Sequence, residues 1–63
     1  AMLAPATVAT LERNLAVIDR AIEESRAALA ADPASRELEM LLRATHEQKV
    51  ELLERVTRLV ARS

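Results

Sequence analysis

The sequence predicts an all-α fold: an antiparallel helical hairpin, coiled-coil-like, that pairs with itself into a dimeric four-helix bundle. Three observations carry this. Ala, Leu, Val and Ile dominate a chain with no Gly and only two Pro, a composition of strong helix formers. Apolar residues recur at 3- and 4-residue intervals on both sides of a single break. That break is Ala31-Asp32-Pro33. Pro33 has no amide hydrogen and drives the preceding residue out of the α region, so a helix running into it stops near Ala31.

Residues 1–5 read as a cloning scar, from Ala1 preceding Met2, and a short lead-in. The chain is therefore expected to be cut from a longer one. Helix one is expected over 6–31. Pro5 suits its first turn, which leaves Ala4 as a poor cap, with Thr7 or Thr10 as caps for a later start. Its heptad positions are Val8, Leu11, Leu15, Ile18, Ile22, Ser25 and Leu29, of which Ser25 alone is polar. A small hydroxyl there is expected to bond back to the carbonyl of Ala21. The apolar arc widens through Leu3, Val17, Ala21 and Ala28, which implies a second packing partner, a further copy of the chain, beside helix two.

The turn is expected at Asp32 and Pro33, with Asp32 capping the next helix and Pro33 at its first position. Helix two then covers 34–61. Its apolar face includes Leu38, Leu41, Leu42, Thr45, Leu52, Leu53, Val56, Leu59 and Val60. Glu37 and Glu39 near its start and Arg55, Arg58 and Arg62 near its end suit the helix dipole. Glu51 and Arg55 form a favourable i,i+4 pair.

The segment Thr45-His46-Glu47-Gln48-Lys49 interrupts the apolar run, and Lys49 falls near the centre of the arc. Folding back at Pro33 places Lys49 opposite Ile18, with Asp19 the nearest carboxylate. Two readings follow. The stem can lie on apolar surface while the ammonium reaches water. Alternatively Lys49 pairs with Asp19, of its own chain or of another, and the pair fixes register.

The function classes narrow accordingly. A net charge of −1 and the absence of aromatic residues give no nucleic-acid footprint. No apolar run approaches the roughly 20 residues of a membrane span, and no signal-peptide pattern is present. Without Cys there is neither disulfide nor thiolate metal site. The single histidine, His46, has Arg43 three residues before it and Lys49 and Val50 three and four after, poor neighbours for a cation; Met40 projects elsewhere. A metal-binding bundle would need His46 from symmetry-related copies. No nucleophile–base pair, carboxylate dyad or phosphate loop can be assembled, so no enzyme, cofactor or metal is expected.

Two resemblances add to this. Ala21-Ile22, Ala28-Leu29 and Asp32-Pro33 resemble the second helix of a tetratricopeptide repeat, but that family's first-helix signature does not follow the turn, and one hairpin is too few for a solenoid. A longer match, over about Asn14 to Leu59, resembles the C-terminal helical region of bacterial zinc-finger anti-sigma factors and related transmembrane regulators. It is carried by Asn14, Leu15, Ile18, Asp19, Ala21, Ile22, Glu24, Arg26, Ala28, Leu29, Asp32 and Pro33, then by Leu38, Leu42, Lys49, Leu52 and Leu53. The resemblance implies a parent with a cytoplasmic zinc domain that holds a sigma factor, then a membrane helix, with this hairpin outside the cytoplasmic membrane. Its partners would be itself and another envelope protein, and it would meet the membrane only through the parent. The zinc-binding Cys/His motif is absent here, so sigma-factor binding falls on no residue of this chain.

The function expected is thus a non-enzymatic oligomerisation or sensing module of an envelope regulator. The alternatives are a purely structural or designed hairpin without ligand, and the His46 metal bundle. The self-association seam is expected at Val8, Leu11, Leu15, Ile18, Ile22, Leu29, Leu38, Leu42, Leu52, Val56 and Leu59, with Asp19 and Lys49 as the polar pair that sets register.

Overall fold

A computed structural model describes residues 3–62, and the expected scar at Ala1 and Met2 lies outside the described residues. Two helices pack against each other: α1, Pro5–Ala31, and α2, Arg36–Arg62. The result is a rod of 46 × 17 × 11 Å.

The start of α1 follows the proline. Pro5 occupies the first turn, where a missing N–H leaves nothing unpaired, and Ala4 precedes it with extended backbone. Ala4 offers no side-chain cap, but its carbonyl accepts from the Val8 amide at 3.1 Å, so the helix begins there without help from Thr7 or Thr10. Thr10 instead donates to the Ala6 carbonyl at 3.0 Å.

The turn differs from the expectation in one respect. Asp32 does not cap α2. Its amide donates to the carbonyls of Ala28 and Leu29 at 3.0 and 3.2 Å and so closes α1. The Ser35 amide then donates to the Asp32 carbonyl at 3.1 Å, closing a four-residue turn with Pro33 at its second position. Ser35 caps α2: its Oγ accepts from the Leu38 amide at 3.2 Å, and its carbonyl takes the Glu39 amide at 3.2 Å. The turn therefore spans 32–35 rather than 32–33, and α2 starts at Arg36 rather than at 34. The reason is geometric. One residue cannot both finish a helix and start another that runs the opposite way, so the reversal takes the few residues usual for an αα-hairpin. No residue needs positive φ to make it.

The seam between the helices follows the two heptad series. Ile22 and Leu52 are buried, and so are Ser25 and Thr45. Leu11, Leu15, Ile18 and Leu29 of α1 are half-buried, as are Leu38, Leu42, Lys49 and Val56 of α2. Val8 and Leu59, the outer members, lie at the exposed margin. The two buried hydroxyls satisfy themselves locally. Ser25 donates to the Ala21 carbonyl at 2.7 Å, as expected, and Thr45 donates to the carbonyls of Leu41 and Leu42 at 3.1 and 2.8 Å. Each spends its hydrogen bond on its own helix, so neither ties the two helices together.

Candidate interface

The polar residues of the seam meet, as in the second of the two readings of Lys49. Lys49 Nζ lies 2.8 Å from Asp19 Oδ1, the one ion pair between the helices among the described residues. The other four are i,i+3 or i,i+4 contacts within a helix, Glu51 with Arg55 at 3.8 Å among them. The Lys49 side chain is 37% exposed and that of Asp19 47%, so water screens the pair and it contributes about 0.2–1 kcal/mol in the single hairpin. Its position matters more than its strength. Lys49 is the middle residue of α2, and Asp19 adjoins the middle of α1.

The two broad faces of the rod differ. On one, α1 and α2 contribute Asn14, Gln48, Glu51 and Arg55 around Val17, which is 69% exposed. On the other, a groove of about 230 Å³ near the open end is lined by Leu3, Val8, Leu11 and Leu15 of the N-terminal half and by Leu52, Leu53 and Val56 of α2. Glu12 is its one polar lining residue. The groove is smaller than the ~300 Å³ at which small-molecule sites begin. Beyond Leu53, the same flank of α2 carries Val50 and Thr57, then His46 and Leu42 toward the turn. At 100° per residue these positions form one stripe beside the seam. Asp19 and Lys49 bridge the helices on this same apolar side.

His46 is exposed, next to Arg43, Glu47 and Val50 on the outer surface of α2. Among the described residues, no three His, Cys, Asp or Glu side chains are grouped to hold a metal ion. Among the described residues, no helix is long and apolar enough to cross a membrane.

Sequence reasoning missed the cap at Ser35. A signal for it was present: Ser35 is followed by Glu37 and Glu39, and acidic residues favour the first turn after a capping serine. The apolar flank of α2 was visible only in part, because Val50 was not counted with Leu42 and Leu53.

No family model, curated protein or solved structure matches this chain.

Proposed function

We propose that the hairpin is a non-enzymatic self-association module, forming a dimeric four-helix bundle, and that it serves as the oligomerisation or sensing element of a bacterial envelope regulator of the anti-sigma-factor kind. The observation that carries the first half is uncovered surface. The chain exposes 4965 Å². A compact monomer of 6.9 kDa is expected to expose about 4,000 Å². The excess, about 1,000 Å², is close to the ~800 Å² that each partner buries in a standard interface. Among the described residues only Ile22 and Leu52 form the buried apolar core, and there is no disulfide or aromatic residue to supplement them. Chains of this size need such a supplement, and a second copy supplies it.

The second half rests on the resemblance over Asn14 to Leu59, which includes Asp19 and Lys49. In this reading the module passes on a change in helix packing, and it neither holds sigma factor nor binds zinc itself.

Sedimentation velocity across a hundredfold range of concentration tests the association. A dimer whose helicity falls together with its dissociation is expected, and a fully helical monomer at the highest concentration refutes it. The placement has its own test in the encoding gene. A membrane helix and a Cys/His motif are expected upstream in the same reading frame, and a frame with neither removes the envelope role.

A further inference from the structure

We propose that two copies stack through the face that carries Leu53, Val50 and the Lys49–Asp19 bridge, and that they run antiparallel, the turn end of one lying on the open end of the other. The inference rests on the self-association proposed above and specifies its face and direction.

The choice of face follows from the unequal sides of the rod. The side around Leu53 offers a groove whose lining is apolar except for Glu12, continued by Val50, 54% exposed, along α2. The opposite side places Asn14, Gln48, Glu51 and Arg55 around Val17, with Leu41, a heptad before Gln48, exposed nearer the turn. Stacking on the polar side would strip water from those four polar groups to cover Val17 and Leu41. Stacking on the apolar side covers the groove, Val50 and Leu53, and desolvates Glu12, His46, Thr57 and an ion pair already closed at 2.8 Å.

The direction follows from charge. Around the turn, over 23–45, Glu23, Glu24, Asp32, Glu37 and Glu39 outnumber Arg26, Arg36 and Arg43, a local charge of −2. At the open end, over 3–15 and 54–62, Arg13, Arg55, Arg58 and Arg62 outnumber Glu12 and Glu54, a local charge of +2. A parallel stack sets like ends together, within the ~8 Å screening length at physiological salt, and an antiparallel stack sets opposite ends together. On the stacking face of α1 the polarity is the reverse, acid toward the open end and base toward the turn, and it too is complementary only when the second copy is turned end for end. Glu12, Asp19 and Arg26 are spaced by heptads and lie along one side of the helix. Reversal about Asp19 exchanges Glu12 with Arg26, so each groove's single acid meets the other copy's Arg26. At the centre the two Lys49–Asp19 pairs lie level, each neutralised within its own chain, so the ends decide the direction.

The absence of cysteine makes the test direct. A nitroxide attached at Ala34→Cys marks the turn of each copy, and its distance to its twin is read by double electron–electron resonance on a sample shown by sedimentation to be dimeric. Antiparallel stacking is expected to give a separation approaching the 46 Å length of the rod. A separation under about 20 Å, two helix diameters, overturns the direction and leaves self-association standing. A monomer at every concentration overturns self-association itself. The face is tested with Leu53→Arg and Val17→Arg. The first is expected to weaken dimerisation at least tenfold and the second to leave it unchanged; the reverse order overturns the face. Glu12→Arg and Arg26→Glu, each weakening its own homodimer, are expected to recover a heterodimer when mixed. A mixture no tighter than either variant alone overturns the Glu12–Arg26 contact.

Discussion

Leu52 is the position at which the packing between the helices is most exposed to experiment. It is 8% exposed and, with Ile22, makes up the buried apolar core of the described residues. Leu52→Ala removes three buried carbons, about 2.4 kcal/mol of transfer free energy at ~0.8 kcal/mol for each. A cavity term normally adds to this. Here it should be small, because Leu52 also lines the depression around Val17, where the vacated space opens to water. The loss therefore belongs at the low end of the ~2–5 kcal/mol range for buried Leu→Ala. A domain of 63 residues has roughly 3–9 kcal/mol in total, so this change removes a large share of it. The melting temperature should fall by about 10–20 °C. Circular dichroism melts at a single chain concentration, where linked association is held constant, provide the measurement. Val17→Ala, at a position 69% exposed, serves as the control and should stay within ~0.5 kcal/mol. A Leu52→Ala loss below about 1 kcal/mol, or one matched by the control, would mean that the helices do not pack along this seam.

Four further outcomes are expected. Thr45→Val should be neutral or stabilising by up to ~1 kcal/mol in urea titration, since the lost hydroxyl bonds only to carbonyls of its own helix and the replacement keeps its shape. Ser35→Ala should lose about 1 kcal/mol and Asp32→Ala less than ~0.5, because the serine Oγ caps α2 whereas Asp32 closes α1 through its backbone; equal losses would return capping to Asp32. Ala4→Ser should gain roughly 0.5–1 kcal/mol by supplying the side-chain cap that α1 lacks, as read from the same titrations. Lys49→Leu should raise the melting temperature yet broaden the distribution of oligomers in sedimentation, and a sharp, unchanged dimer would deny the pair any part in register.

The hairpin was legible because two strong local signals agreed. Heptad spacing placed the seam from Leu11 to Leu29 and from Leu38 to Val56, and Pro33 could not continue a helix. The turn was less legible because capping is a contest between neighbours. Asp32 and Ser35 are both good capping residues, and only the path of the reversing backbone decides that Asp32 ends one helix while Ser35 starts the next. The approach of Asp19 to Lys49 could be foreseen from the fold-back, since residues equidistant from a tight turn lie level. The surface was hardest to foresee. Val17 looked like part of a second packing face on the wheel of α1 alone, but Gln48, Glu51 and Arg55 of α2 share its side. Which face is apolar is a property of two helices together, and it appears in neither wheel taken singly.

The Lys49–Asp19 pair gains meaning from what the turn already does. Closure of 32–35 sets the level of α2 against α1, and loops this short leave little freedom to slide. The pair is thus redundant for register within the chain. It also interrupts an apolar heptad series at a position where leucine would pack better. A polar group with no intrachain role in register, at mid-length, on the apolar face, can still specify something the turn cannot: how the next copy is seated. Sliding a second hairpin by one helical turn would bury each pair's oxygens and ammonium against apolar surface, whereas centring it lets the two pairs solvate each other. In that account the thin core and the polar interruption are one feature. In the proposed dimer the second copy covers what the thin core leaves open, and the midpoint charges constrain how it is seated.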